Sequence, residues 1–224
     1  VVTMNGKTKE IIFMNAAAEN LWMRNREDCI GKNIKTLVPM EHKAPHDNYV
    51  DSNMNTGVNK IVGTGREVPI ERPDGTVLWA FLSLSKAEME NGDVFYTAFV
   101  KDINTERANR QAFAEATKLI NGMSVGDFSY QMNTEGLAMA AETTEVINNL
   151  TGLKTNIQDI LGDLSDVVNA AGNEGDLSAR LSVKAQGDWG ALVDSVNMLL
   201  GSISEPVKDF QGIIDRMAQG DLTG

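Results

Sequence analysis

The stretch KIVGTGREVPIERPDGTVLWAFLSLS (residues 60–85) decides the fold of the first half of the chain. It contains two segments rich in β-favouring residues, Lys60 to Pro69 and Leu78 to Ser85, and the second alternates apolar residues at every other position. Between them lies Pro73-Asp74-Gly75, a turn sequence in which glycine tolerates a positive φ. The stretch therefore predicts two strands of an antiparallel sheet joined by a hairpin turn.

The flanking residues extend this hairpin into an α+β domain. A third strand is predicted over Phe95 to Val100, after the turn Asn91-Gly92-Asp93, and a short strand over Glu10 to Phe13. The segment Ala16 to Met23 is helical in pattern, with Asn15 as its N-cap. We therefore expect an antiparallel sheet backed by short helices in the first half of the chain.

From about residue 105 the sequence changes to long helices with heptad spacing. Apolar residues recur at alternating steps of three and four, interrupted by a single threonine. The three runs are Phe113, Ala116, Ile120 and Met123; Met139, Thr143, Val146, Leu150, Leu153, Ile157, Ile160, Leu164, Val167 and Ala171; and Trp189, Val193, Val196, Leu200, Ile203, Val207, Phe210, Ile214 and Met217. A lone helix would leave such a stripe exposed to water, so these helices must pair with each other or with a second copy of the chain.

A short signature repeats where these helices are predicted to end. It reads Gly126-Asp127-Phe128, then Gly175-Asp176-Leu177, then Gly220-Asp221-Leu222. We expect each glycine to end its helix in a left-handed cap and each large apolar residue to turn toward the helix bundle. The repeating unit is helix, polar connector, helix.

The composition limits the classes of partner. A net charge of −11 over 224 residues argues against nucleic acids and anionic membranes, which would repel the chain. The single cysteine, Cys29, forms no internal disulfide, as is typical of a reducing cytoplasm. No segment approaches the roughly 20 apolar residues of a membrane-spanning helix, so we expect a cytoplasmic region. Because the sequence begins at Val1, we expect a fragment, and membrane segments elsewhere in the full protein stay open.

The first half resembles a PAS domain of the kind found in chemoreceptors and in rhizobial oxygen-sensing kinases. The segments that carry the resemblance are FMNAAAENLW (13–22), IGKNIKTLVP (30–39), HDNYV (46–50), KIVGTGREV (60–68), ERPDGT (71–76), LSLS (82–85) and FVKDIN (99–104). The second half resembles HAMP modules, on the repeated glycine-aspartate signatures, Pro206, and the connector residues Glu135-Gly136 and Gly187. The combination is most similar to a methyl-accepting chemotaxis protein.

This resemblance implies an α+β PAS domain followed by all-α HAMP units, which form parallel four-helix coiled-coil bundles in a homodimer. The domains expected are a PAS sensor at 1–105, a linker helix and first HAMP-like unit at 106–155, a second unit at 156–205 and the start of a third at 206–224. The function implied is a sensory transducer of the chemotaxis type. Its PAS domain senses a ligand, and its HAMP units relay the signal to a C-terminal output domain that binds the chemotaxis kinase and adaptor proteins.

The resemblance to the rhizobial sensors also implies a cofactor, haem b. In that family the histidine that matches His46 is the proximal iron ligand, and the arginine that matches Arg66 contacts bound oxygen or a haem propionate. Carried over in the same way, the residues that line the gas side are Ile61, Thr64, Leu82 and Leu84. Polarity near the open iron position decides which diatomic gas binds, and Thr64 replaces an aliphatic residue of that family.

A simpler interpretation stands beside this one. His46 followed by Asp47 is also typical of a surface or capping group at a helix start, and Arg66 would then pair with an acid such as Glu71 or Asp47. His42 lies in a polar turn and is expected to be solvated.

Other chemistry is less supported by the sequence. Blue-light PAS relatives carry a cysteine where this chain has Ile34, so cysteinyl-flavin photochemistry is not expected. Redox flavin binding stays open, although Trp22 and Trp79 are better explained as core or groove aromatics. No nucleophile with an activating base is evident, so we expect no catalytic residues and no enzymatic activity. The many acidic residues are expected to lie on solvated helix faces. The alternatives are the sensor and relay region of a histidine kinase, and a cofactor-free PAS module for dimerisation.

Overall fold

The computed structural model of the chain describes residues 1–220. In chain order its elements are β1 Val2–Asn5, β2 Ile11–Met14, α1 Ala16–Trp22, α2 Arg26–Cys29, a 3-10 turn Ile34–Leu37, α3 Met40–Lys43, α4 His46–Thr56, β3 Gly65–Glu71, β4 Val77–Glu88, β5 Val94–Asp102, α5 Asn104–Ser124, α6 Ala141–Asn173 and α7 Gly187–Ala218. They divide into two compact units. The first comprises Val1–Phe113 with Thr134–Ala140, and the second comprises Ala114–Asn133 with the chain from Ala141 onward.

The first unit is built on a five-stranded antiparallel sheet in the order β2-β1-β5-β4-β3, with the short helices beside it. The two predicted hairpin turns are present, and Gly75 and Gly92 take the positive φ values that their turns require. Asn15 caps α1 as predicted, since its side-chain oxygen accepts a hydrogen bond from the backbone N–H of Ala18 at 3.1 Å. The expected antiparallel sheet with short helices is therefore confirmed.

The predicted strands differ from the observed ones in two places. The strand predicted from Lys60 begins at Gly65, because Gly63 has a φ of +79° and residues 60–64 form a turn. The backbone of Val62 joins the sheet through an isolated bridge to Leu84. Strand β1 was not predicted, although it lies between β2 and β5 near the centre of the sheet.

The core of the first unit lies between the inner face of the sheet and the helices α1, α2 and α4. It forms two clusters, which contain Val2, Ile11, Met14, Ala18, Leu21, Trp22, Cys29, Leu37, Ile70 and Ala80, and Met4, Val50, Val94 and Tyr96. Trp22 is buried, and its Nε1 donates a hydrogen bond to the carbonyl of Leu37 at 3.0 Å. This bond satisfies the polar group that the indole brings into the core.

The predicted apolar runs lie on α5, α6 and α7, apart from Met139, which precedes α6. Helix α7 continues through Pro206, as the run predicted. Gly126 has a φ of +81° after the end of α5, and Gly175 has a φ of +72° after the end of α6. The left-handed glycines that were expected after these helices are thus confirmed. In the third signature, Gly220 has a φ of +82°, whereas Asp221 and Leu222 lie outside the described residues.

Two acidic side chains hold the connectors to the helices. Glu115 of α5 is only 8% exposed and accepts hydrogen bonds from the backbone N–H of Asn133, from Lys118 and from the hydroxyl of Tyr130. These bonds, first of all the one from Asn133, lower the pKa of Glu115 to about 2. Asp163 of α6 accepts in the same way from the backbone N–H groups of the next connector. The expectation that the acidic groups lie on solvated helix faces is therefore wrong for Glu115.

No helix in the described part of the chain is both long enough and apolar enough to cross a membrane.

Candidate functional site

His46 is the first residue of α4 and follows Pro45. The ring is half-buried, and its Nδ1 is buried without a hydrogen-bond partner among residues 1–220. Burial lowers the pKa of His46 from its ordinary value, and the neighbouring Asp47 only partly opposes that effect. The imidazole is therefore neutral at pH 7 and keeps a ring nitrogen for a ligand, which is the form that binds metals.

Helix α4 turns one face toward the inner face of the sheet. His46, Val50 and Met54 follow each other at intervals of four residues, so they share that face of the helix. Val50 and Met54 pack with Leu84 and Val62 in the second core cluster. Further along the helix, the hydroxyl of Tyr96 donates to the side-chain oxygen of Asn53 at 2.6 Å. The packing below His46 therefore fixes how its helix meets the sheet.

Arg66 lies on the inner face of β3, opposite Leu82 of β4. Residues directly opposite each other in an antiparallel pair project to the same face, and Leu84, two residues from Leu82, projects to that face as well. The Arg66 side chain is exposed and has no hydrogen bond or ion pair with any residue that the structure describes. Its guanidinium is thus available on the inner face of the sheet.

The simpler pairing of Arg66 with an acid is wrong in both of its proposed forms. Asp47 forms an ion pair with Lys35 at 2.7 Å, and this contact is the main reason that the pKa of Asp47 is lowered. Glu71 accepts a hydrogen bond from the backbone N–H of Met40 at 3.0 Å.

The structure brings together only part of the predicted gas-side lining. Leu82 and Leu84 are half-buried on the same sheet face as Arg66, and Leu84 reaches the cluster under α4. Ile61 is half-buried in the turn before β3. Thr64 is exposed, and its hydroxyl donates a hydrogen bond to the carbonyl of Ile61 at 3.0 Å. The hydroxyl proton is therefore used within the turn that contains Thr64. His42 is exposed, as expected, but it lies on helix α3 and not in a turn.

The other candidate cofactor residues have structural roles. Trp22 lies in the core, and Trp79 lies under the guanidinium of Arg107, whose Cζ is 3.9 Å from the ring centre. Cys29 is buried, and burial raises the pKa of its thiol. Within residues 1–220 no group of three or more His, Cys, Asp or Glu side chains is placed to hold a metal ion. An open groove of about 290 Å³ contains none of the predicted site residues; it is lined by Ala17, Asn20, Leu21, Arg72, Val100 and Asp102.

One contact between the sheet and α5 was not predicted from the sequence. Glu67, next to Arg66 on β3, accepts hydrogen bonds from Arg107 and Arg110 of α5. The signal that would have found it is the alternation of strand side chains, which places Glu67 on the outer face of the sheet when Arg66 is on the inner one.

Comparisons with known proteins agree with this architecture. Residues 1–105 match the PAS domain family, and residues 184–224 match the HAMP domain family. The oxygen sensor protein DosP of Escherichia coli is 38% identical over 102 residues, which are 46% of this chain and 13% of DosP. The sensor protein FixL of Bradyrhizobium diazoefficiens is 33% identical over 102 residues, which are 46% of this chain and 20% of FixL.

Among solved structures, the PAS domain of an HTR-like protein from Haloarcula marismortui is 18% identical. The match covers 46% of this chain and 78% of that one, with a TM-score of 0.37. The chain spans only 13% and 20% of the lengths of DosP and FixL. The chain contains a PAS domain followed by a HAMP domain, and its relatives through the PAS domain include an oxygen sensor.

Proposed function

We propose that this chain is the sensor and relay region of a chemotaxis-type transducer, in which the PAS domain binds haem b through His46 and detects a diatomic gas such as oxygen. The observation that carries the proposal is the buried Nδ1 of His46, which has no partner in residues 1–220. A polar atom buried without a partner is costly, and such an atom in a native structure calls for an explanation. The similarity to the oxygen sensor protein DosP supports a haem iron as the explanation.

The side chains of α4 and of the inner sheet face have the chemistry that such a group needs. The neutral imidazole would hold the iron, and the half-buried Leu82 and Leu84 would keep water from it. The unpaired guanidinium of Arg66 would donate hydrogen bonds to a polar ligand or to a propionate. When bound, haem supplies an iron centre with an open position for a diatomic gas.

An absorption spectrum of the purified chain, expressed with added haem, tests this binding. We expect a Soret band that is lost in His46→Ala and kept in His42→Ala, the matched control, because His42 is the only other histidine and is exposed. Arg66→Ala should keep the band and change the affinity for oxygen. A colourless wild-type protein, or a Soret band that survives in His46→Ala, would refute haem binding at this residue.

For the relay, we propose that two copies of the chain pair through the apolar runs of α6 and α7 in parallel four-helix bundles. The support is that Val146, Leu153 and Ile203, which belong to those runs, are exposed in the single chain. Water-exposed apolar stripes at heptad spacing are stabilised by pairing. Sedimentation should show a dimer at micromolar concentration, and a stable folded single-chain species would contradict the pairing.

Signal transfer through these bundles is tested by disulfide crosslinking of Val146→Cys and, separately, of Ile203→Cys. Packed bundles are bistable, so gas binding should change the crosslinking yield at one or both positions. The same yields with and without gas would refute a relay through α6 and α7.

The proposed output is chemotactic, through a C-terminal region that binds the chemotaxis kinase and its adaptors, with no enzymatic activity in this chain. The competing proposal is a histidine kinase that uses the same sensor and relay. The sequence after residue 224 in the full-length protein decides between them, because a long hairpin with methylated glutamates marks a chemoreceptor and an ATP-binding domain marks a kinase. A cofactor-free PAS module for dimerisation would show the dimer without any Soret band.

A further inference from the structure

A three-residue contact ties the outer face of the sheet to α5. The carboxylate of Glu67 on β3 pairs with the guanidinium groups of Arg107 and Arg110, the latter at 2.5 Å. The guanidinium carbon of Arg107 also lies 3.9 Å from the ring centre of Trp79 on β4. These partners are 40 and 43 residues apart in sequence, so the contact is tertiary and not a consequence of local chain direction. We call Glu67, Arg107 and Arg110 the β3–α5 clamp.

The clamp begins on the strand that carries Arg66. Strand side chains alternate between the two faces, so Arg66 projects to the inner face of the sheet while Glu67 projects to the outer face, where it meets α5. A displacement of β3 caused by a ligand on the inner face would therefore move Glu67 by a similar amount. No intervening loop or series of side chains is needed between the two groups, because they are adjacent residues.

The position of β3 in the sheet makes such a displacement feasible. In the described sheet β3 is an edge strand and pairs only with β4, whereas β5 is held on both sides. An edge strand loses fewer hydrogen bonds when it shifts than a central one.

The clamp is also held by charge at neutral pH. The hydrogen bond from Arg110, followed by that from Arg107, holds the pKa of Glu67 below its ordinary value, so the carboxylate stays ionised. Glu67 is half-buried, so water screens this pair less than a fully exposed one.

We infer that Glu67 is the residue that passes movement of the ligand-facing strand to α5, through its paired contact with Arg107 and Arg110. This inference rests on the proposed sensory function and adds the residue through which the sensor drives the relay. Helix α5 then runs without interruption to Ser124. Glu67 is a positioning residue and does not contact the ligand.

A second ion pair between the sheet and α5 provides a matched control. Lys101 of β5 pairs with Glu106 at 2.5 Å, but it is only five residues away in sequence and more exposed. Its strand is held on both sides and does not carry Arg66. Loss of this pair should weaken the docking of α5 without breaking the route from β3.

The test is a double-mutant cycle read by hydrogen exchange in the full chain without added gas. Val68 is half-buried on the inner face of β3, opposite Ala80. Val68→Ala should therefore weaken the packing that holds β3 on this face. The readout is the exchange rate of backbone amides at residues 105–113. We expect Glu67→Gln alone to raise this rate about threefold to fivefold, as expected for loss of a partly exposed ion pair.

The diagnostic result is the coupling. Val68→Ala should raise exchange at residues 105–113 about threefold when Glu67 is intact and leave it unchanged when Glu67→Gln is already present. With Lys101→Gln in place of Glu67→Gln, the effect of Val68→Ala should persist in full. Arg110→Gln should act like Glu67→Gln at smaller size, so the result does not depend on the folding of one variant.

The inference is overturned if Val68→Ala acts equally with and without Glu67→Gln, or if Lys101→Gln abolishes its effect as well. Because this readout uses neither haem nor gas, it can fail while the Soret band of His46 is present, and it can succeed while that band is absent. Failure of the clamp and failure of haem binding are therefore separate results.

Discussion

Val50 provides the sharpest test of how α4 holds His46 against the sheet. It lies one turn after His46, is 7% exposed, and packs with Met54, Val62 and Leu84. Val50→Ala removes two methyl groups at about 0.8 kcal/mol each and leaves a small cavity, so the free energy of unfolding should fall by about 2 kcal/mol. For a unit of this size the melting temperature should fall by about 10 °C.

The assay must report on the first unit alone, because a chain of two units need not unfold in one step. The chain has three tryptophans, and Trp22 and Trp79 lie in the first unit while Trp189 lies in the second. In a Trp189→Phe background, fluorescence during urea unfolding therefore follows the first unit. The free energy of unfolding is read from the midpoint and slope of that transition.

The matched control is Val58→Ala, the same substitution at a site 59% exposed just after α4. It should change the free energy of unfolding by less than about 0.5 kcal/mol. Equal losses in the two variants, or a loss below about 0.5 kcal/mol in Val50→Ala, would refute the packing of α4 on the sheet. Either result would also refute the position assigned to His46, because α4 carries this residue.

Two further predictions concern pH. Burial lowers the pKa of His46 in the folded chain from its ordinary value of 6.5. Between 6.5 and the lowered pKa, the unfolded chain therefore binds more protons than the folded chain. The free energy of unfolding of haem-free protein should decline as the pH falls through this range and then level off. Urea midpoints across this range should show a decline that is smaller in His46→Gln, and an unchanged decline would contradict the burial. Glu115 has its pKa lowered to about 2, so its hold on the amide of Asn133 is complete above its ordinary value of 4.5 and is lost as the pH falls toward 2. Protection of that amide from exchange should follow this course in the wild type and be low throughout in Glu115→Ala, which has no acceptor, and a flat wild-type profile would contradict it.

Local signals in the sequence were sufficient for much of the PAS fold. The cap at Asn15 and the turn glycines Gly75 and Gly92 were predictable because each is set by a few neighbouring residues. Strand β1 was not, since Val2–Asn5 is short and gains its central place only from partners distant in sequence. The early start assigned to β3 failed because β-favouring residues also occur in the turn at 60–64.

The candidate site was predicted less completely than the fold. The resemblance pointed to His46 and Arg66, but periodicity could not show that the acids proposed for Arg66 already bind Lys35 and the backbone of Met40. Tertiary partners of a charge have no fixed spacing in sequence. For the same reason the sequence predicts a solvated Glu115, although this residue is buried by a connector that follows it by 18 residues.

The connector ties make each connector part of the fold of its own polypeptide. Glu115 and Asp163 each accept hydrogen bonds from a connector that belongs to the same polypeptide. These bonds close within one copy of the chain. If two copies pair as proposed, each would bring connectors that are already attached to its own helices.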